Sequence, residues 1–277
     1  MFLKNFDLTN KTALITGAGG LLGFEHASAL LEINCNLVLT DINLNQLIKV
    51  KDKLHKKFIN KSILIFSMDV TSKKSLLEIK KSLDKLGIEL DILINNAALN
   101  PKVDKDLKIA NSSRLETFQI DDWNQELAVG LTGAFLCSQV FGAAMARSPK
   151  KGCIVNISSD LSVISPDQRI YKKESLSSEH QTVKPVTYSV IKSGLIGLTK
   201  YLATYWLESD MRCNSLSPGG IYTNQPEEFV SKLTDLIPLG RMANNDEYRS
   251  AIQFLCSDAS AYLNGHNLVM DGGRSIW

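Results

Sequence analysis

Tyr188 and Lys192 stand four residues apart in the run Tyr188-Ser-Val-Ile-Lys192. On a helix, positions i and i+4 share a face, so the phenol and the ammonium point the same way. A neighbouring positive charge favours the phenolate and draws a tyrosine pKa down towards the working range. Such a phenol can take the proton from an alcohol during oxidation, or return it to a ketone during reduction. A Tyr and a Lys at this spacing also occur on ordinary helical surfaces, so the reading needs a second feature. Ile154-Val-Asn-Ile-Ser158-Ser159 supplies one: an apolar run ending in hydroxyls, where a serine can hydrogen-bond the reacting oxygen and stabilise its developing charge.

A second constellation suits a dinucleotide. The apolar run Ala13–Thr16 leads into Gly17-Ala18-Gly19-Gly20-Leu21-Leu22-Gly23 and then a helical pattern. Glycines there let backbone approach a pyrophosphate, and the helix N-terminus offers unpaired N–H groups and partial positive charge. A tight strand–helix turn would also account for the glycines. Asp41 follows 41 − 23 = 18 residues after Gly23, at the end of the second apolar run. A carboxylate there can accept from both hydroxyls of an adenosine ribose and would repel a 2′-phosphate, so NAD is favoured over NADP. No Arg or Lys lies within Gly17–Gly23 or Asp41–Asn45 to welcome an extra phosphate. Helix capping is the structural alternative for Asp41. Asp69-Val70 follows the third apolar run and Asn95-Asn96-Ala97-Ala98 ends the fourth, both where open α/β sheets bind ligands. Pro218-Gly219-Gly220-Ile221-Tyr222-Thr223 follows the sixth and could hold a nicotinamide carboxamide.

These groups need a scaffold that gathers strand ends. Runs at Thr12–Thr16, Asn36–Thr40, Ser62–Ser67, Asp91–Asn95, Gly152–Ser158, Arg212–Leu216 and Asn267–Met270 are short and aliphatic, as strands buried on both faces of a parallel sheet must be. Helical patterns are predicted over Leu21–Ile33, Leu44–Phe58, Lys73–Leu86, Asp121–Ala146, Val186–Leu207 and Asp246–Cys256. The alternation predicts a single α/β domain over 1–277, a doubly wound Rossmann fold with about seven parallel strands and helices on both faces. Two polar stretches, 99–119 and 160–185, read as long loops, which are functional or disordered more often than connective.

Bulk properties agree. The 277 residues are 44% apolar and 22% charged, which fits a globular chain. The net charge of +2 gives no pull towards nucleic acid or a membrane surface. Five scattered cysteines without a CxxC pair read as reduced thiols. No secretory leader and no unbroken apolar run of membrane-spanning length is recognised, so a cytoplasmic location is expected. The four histidines form no ligand spacing, so no metal is expected.

In their order and placement these blocks resemble the short-chain dehydrogenase/reductase family from about Leu8 to Gly273: TGAGGLLG, Asp41, Asp69-Val70, NNAA at 95–98, LTGAF at 131–135, IVNISS, YSVIK, Pro218-Gly219, Pro238-Leu-Gly-Arg241 and NGHNLVMDGG. The resemblance implies Tyr188 as acid/base, Lys192 as its pKa modifier and nicotinamide-ribose binder, and Ser159, rather than Ser158, as donor to the substrate oxygen. Three departures stand out. Leu21 replaces a glycine of the family turn. Gly130 replaces an asparagine that kinks a helix and holds a relay water. Ser159 and Tyr188 are 188 − 159 = 29 residues apart, more than twice the usual family separation.

The basic residues of the two insertions, Lys102, Lys105 and Arg114 in one and Arg169, Lys172, Lys173 and Lys184 in the other, could attract an anionic substrate or simply solvate loops. Arg169, in a proline-anchored segment, is the expected anchor. SSDLSVISPDQRIY and KPVTYSVIKSG resemble a narrower branch, oxidoreductases of bacterial surface-sugar and flagellin-modification clusters of the legionaminic-acid type. That implies a phosphorylated or nucleotide-linked sugar oxidised by NAD⁺, or the reverse. The alternatives are a 3-oxoacyl-thioester or general ketone reductase, which would use NADPH, and a non-catalytic NAD-binding scaffold. Apolar and small residues on several faces of the 121–146 and 186–207 helices, which the family pairs between subunits, lead us to expect a homotetramer, or a dimer at least.

Overall fold

The computed structural model describes residues 4–99, 113–174, 176–177 and 180–277. Strands β1 (Thr12–Thr16), β2 (Asn36–Asp41), β3 (Ile63–Ser67), β4 (Ile92–Asn95), β5 (Gly152–Ile157), β6 (Met211–Pro218) and β7 (Asn267–Met270) form one sheet in the order β3-β2-β1-β4-β5-β6-β7, parallel throughout. Because side chains alternate along a strand, each aliphatic run feeds two cores. Ala13 and Ile15 of β1 pack on one face with Leu30 and Leu31 of α1 (Leu21–Glu32), Leu47 and Leu54 of α2 (Leu44–Lys57), and Ile252 and Leu255 of α7 (Arg249–Cys256). Leu14 packs on the other with Leu76 and Leu83 of α3 (Lys73–Lys85), Phe141 and Met145 of α4 (Ile120–Ala146), and Leu202 of α5 (Val186–Tyr205). All five cysteines are unbridged and buried.

The predicted elements are all present, with ends displaced by a few residues at most. One helix was missed, α6 (Glu227–Thr234), which follows the β6 turn. Alone its period is too brief to register. Its stability comes from packing on the second insertion, where Ile170 joins Leu233, Ile237 and Met242 in a small separate core and the Tyr171 and Phe229 rings lie 5.6 Å apart. The described part of the 160–185 stretch is therefore an anchored roof with 3₁₀ turns at Asp160–Ser162 and Gln168–Tyr171.

α4 is long and apolar enough to cross a membrane by length and composition. Here Cys137, Val140, Phe141 and Met145 bury one face against the sheet, as in a core helix. It is not regular: π turns at Ala128–Thr132 and Ser138–Gly142 interrupt it. Gly130 sits in the first, and a Cβ there would stand 2.8 Å from the Ile191 methyl on α5. The distortion expected from the family asparagine is thus present, and Ile191 occupies the space an asparagine side chain would need.

Candidate active site

The strand order reverses at β1, with β2 on one side and β4 on the other. At that switch point the carboxyl ends of the strands leave a crevice. A cleft of about 500 Å³ opens there, running from Gly17, Gly20, Leu21, Leu22, Gly23 and Asp41 past Asn96 and Ala98 to Ser159, Tyr188 and Lys192, with Pro218, Gly219, Ile221 and Thr223 along its side. The two constellations read from the sequence are thus ends of a single cavity.

At the first end the glycines have separate duties. Gly17 has φ +61°, and a Cβ on it would meet the Ala97 Cα at 2.7 Å. A Cβ on Gly23 would meet the Gly17 carbonyl oxygen at 2.6 Å, so these two glycines close the turn. Gly20, by contrast, has only one atom within reach, at 3.5 Å, and faces open space. It is also the N-cap of α1 and supplies no side-chain acceptor, leaving first-turn N–H groups for an anion. Leu21 opens that helix on the cleft wall, so the turn forms without the family glycine. Asn96 staples the turn from below through Nδ2 to the carbonyls of Thr16 and Gly17, both at 3.0 Å.

Asp41 does not cap α2; Asn43 does, accepting from Gln46 N at 3.1 Å. The Asp41 carboxylate accepts from Gly19 N at 3.0 Å and Asn43 N at 2.9 Å, tying two turns together at the cleft wall. Gly19 therefore faces Asp41 rather than the cavity. Asp69, Val70 and Ala97, expected at the cofactor, do not line the cleft. Asp69 is taken up by Thr71, Val70 is packed in the core beside Gly133, and Ala97 lies behind Gly17 with its N–H on Thr16 Oγ1. A dinucleotide fits the remaining residues: bare backbone at a helix N-terminus, then the Asp41 carboxylate, with no lysine or arginine beside it among the described lining residues.

At the second end, Ser158 and Ser159 part company. Ser158 Oγ donates to the Lys192 carbonyl at 2.7 Å and is spent on holding α5. Ser159 faces the cavity next to Tyr188. Its hydroxyl donates to Asp160 Oδ1 at 2.8 Å, and Asp160 Oδ2 accepts from Arg274 at 2.8 Å; carboxylate and guanidinium are both buried. The sequence reading missed this pair because Arg274 comes 114 residues later, and nothing in its local pattern marks it. Asn95 and Asn156, beneath the site, join β4 to β5 through a 2.8 Å hydrogen bond, and Asn156 reaches Thr199 of α5 at 2.8 Å.

The acidities differ from expectation. Lys192 Nζ donates to the Ile157 carbonyl at 2.8 Å and lies 5.8 Å from the Tyr188 ring centre. Burial, and then the charge of Lys184, push the Lys192 ammonium down to about 8. The Tyr188 phenol is raised, not lowered: loss of water outweighs the Ser159 hydroxyl, which favours the phenolate, and the Asp160 charge opposes ionisation further. Lys192 therefore does not by itself make this phenol acidic.

Arg169 is not in the cleft. Asp167 caps the 3₁₀ turn that follows it, and this turn sends Ile170 inward and Arg169 outward. The guanidinium is 80% exposed and paired with Asp167 at 2.7 Å, holding that carboxyl down to about 2. Lys172 and Lys173 are exposed, Arg114 pairs with Glu116, and Lys102 and Lys105 lie outside the described residues. Of the basic residues in the insertions, Lys184 alone is found on the described lining of the cleft.

The comparisons with known proteins agree with this architecture. The family model for short chain dehydrogenases matches residues 11–233. A NAD-dependent glycerol dehydrogenase of Listeria innocua is 29% identical, covering 99% of this chain and 98% of its own. A short chain dehydrogenase from Leptospira borgpetersenii solved with bound NAD⁺ is 30% identical with a TM-score of 0.79, covering 99% of this chain and 97% of that one. A gluconate 5-dehydrogenase from Burkholderia cenocepacia, in complex with NADP and tartrate, is 25% identical with a TM-score of 0.83, each chain covered in full. By sequence, sheet order and cleft, the chain belongs to the short-chain dehydrogenase/reductase family, oxidoreductases of alcohol and ketone groups that work with a nicotinamide cofactor.

Proposed function

We propose that this chain oxidises a secondary hydroxyl of a phosphorylated or nucleotide-linked sugar, or reduces the corresponding ketone, with NAD as its cofactor. One observation carries the reading: Ser159, Tyr188 and Lys192 converge at one end of a cleft whose other end presents a glycine turn and the Asp41 carboxylate. A bound nicotinamide supplies the hydride acceptor or donor. Tyr188 exchanges the proton with the substrate oxygen, Ser159 holds that oxygen, and Lys192 carries charge beneath the phenol. Asp41 favours NAD over NADP, which speaks against a thioester or ketone reductase running on NADPH. The intact triad speaks against a mere scaffold. The glycerol dehydrogenase and the gluconate dehydrogenase among its relatives act, by name, on polyhydroxylated compounds. The resemblance of the 160–185 region to surface-sugar oxidoreductases supports a cytoplasmic role in surface-glycan biosynthesis.

The same reading includes self-association. Phe135, Tyr201 and Tyr205 stand exposed on α4 and α5, an apolar face that a second copy would cover. The direct experiment is turnover with NAD⁺ and with NADP⁺ across neutral polyols, sugar phosphates and nucleotide sugars. Oxidation of a charged sugar, faster with NAD⁺, is expected. NADP⁺ preference, or cofactor binding without any alcohol oxidised, would overturn the proposal.

A further inference from the structure

Among the described residues three cations line the cleft, Lys184, Lys192 and Arg274. Two are committed. Lys192 Nζ donates to the Ile157 carbonyl, and Arg274 is paired with Asp160. Lys184 is different: its backbone is pinned by Gln168, through Lys184 N to Oε1 at 2.8 Å, yet its ammonium has no carboxylate or carbonyl partner among the described residues. It rests instead on the face of Tyr188, 3.6 Å from the ring centre. Asp160 and Glu126 are the carboxylates whose charge reaches it, and neither is free to move over: Asp160 holds Arg274, Ser159 and the Leu161 N–H, while Glu126 accepts from Thr187. Burial pushes the ammonium down to about 8. A ring face offsets part of the loss of water but does not replace an anion.

We propose that Lys184 is the specificity-determining anion site of the substrate end, binding a phosphate or carboxylate on the alcohol whose hydroxyl meets Tyr188. This rests on the oxidoreductase reading above and extends it by naming the group that selects charge. The α1 N-terminus is the place for the cofactor's own phosphates, at the opposite end of the cleft. Lys184 and Lys192 flank Tyr188, four residues before it and four after. Lys192 turns in towards β5; Lys184 lies on the side of the insertion roof, where Ile170, Tyr171 and Phe229 close the cavity. Charge recognition by Lys184 thus operates within one side chain of the reacting hydroxyl, and the exposed Arg169 plays no part in it.

The test compares wild type, Lys184→Met and Lys184→Arg with NAD⁺ on a hexitol, its 6-phosphate and the matching aldonate. Lys184→Met is expected to lower the charged-to-neutral ratio of kcat/KM at least tenfold, mostly through KM, with Lys184→Arg restoring most of it. The ratio cancels any change in Tyr188 acidity, which falls on all three substrates. Loss confined to the phosphate or to the aldonate identifies which anion is recognised. An unchanged ratio, or a wild-type preference for the hexitol, overturns the proposal. In parallel, inorganic phosphate is titrated calorimetrically into NAD⁺-saturated protein. Lys184→Met should weaken that binding tenfold or more even if none of the three alcohols is oxidised, which would count against the proposed reaction but not the anion site. Equal phosphate affinity in wild type and Lys184→Met overturns the anion site whatever the turnover.

Discussion

At the nucleotide end of the cleft the chain offers backbone, a helix N-terminus and one carboxylate; at the other end it gathers an ammonium on a carbonyl, an ammonium on a ring face, and a buried carboxylate–guanidinium pair. The contrast separates two kinds of recognition. A turn built from main-chain N–H groups tolerates side-chain change, which is why Leu21 can stand where the family has glycine. Buried charges tolerate very little, since losing any of the few groups that offset their loss of water leaves a charge stranded in the interior. Substitutions at the first end should therefore read out as cofactor affinity and selectivity. Those at the second should read out as rate, stability and pH dependence.

The strongest test of that division is Tyr188→Phe. Turnover is expected to fall by about 10³-fold, within the range for a lost acid/base group, while NADH affinity, followed by fluorescence titration, stays close to wild type. A comparable loss of affinity would place Tyr188 in the nucleotide half and break the comparison.

Next in size is Arg274→Met, which strands the Asp160 carboxylate in the interior. Stability in urea is expected to drop by about 3–5 kcal/mol, with much of it recovered when Asp160→Asn is added. Since Asp160 also accepts from Ser159, the single variant should slow turnover before it unfolds the chain. A cost below about 1 kcal/mol would make the pair no stronger than a surface one, and the description of this end as charge-locked would fail.

Legibility in the sequence follows the same line. The sheet, the helices and the glycine turn could be read because their signals are local: aliphatic runs, a 3.6-residue period, glycines at a strand end. Tyr188 and Lys192 were readable because their spacing puts them on one helix face, and a serine at the end of β5 because it closes an apolar run; the choice of Ser159 over Ser158 came from the family resemblance. Arg274, by contrast, gains its meaning only across the fold. Arg169 looked promising from its proline-anchored segment, but which of two neighbours on a tight turn faces inward depends on the apolar site formed by Leu233, Ile237 and Met242, and that site selects Ile170. The acidity of Tyr188 was misjudged for a related reason. Spacing reveals the neighbouring ammonium but not the burial that outweighs it.

Asp41→Ala sharpens the nucleotide side. A hydrogen bond to a charged acceptor is worth about 1.5–3 kcal/mol, so NAD⁺ affinity should fall tenfold or more while NADP⁺, relieved of repulsion, loses less or gains. Selectivity measured as the ratio of the two kcat/KM values reports this directly. Unchanged selectivity would mean that the carboxylate is fully occupied by Gly19 and Asn43 and never meets a ribose.

The smallest expected effect concerns pH, and its sign separates two residues that touch. Lys184 is charged below about 8 and loses its charge above it; the Asp160 and Glu126 carboxylates hold that value up against burial, and Lys192, also near 8, stands close enough to feel its charge. KM for a sugar phosphate should therefore rise roughly five- to tenfold between pH 7 and 9, as follows from one group titrating near 8. Tyr188 runs the other way. Its acidity is weakened by burial, so its ionised fraction is still growing across this range, and kcat for alcohol oxidation should climb as KM worsens. Lys184→Met should flatten the KM profile and leave the upward slope of kcat in place. If both slopes vanish together, the ammonium on the ring acts through the phenol itself, and binding of charge and transfer of the proton cannot be assigned to separate side chains.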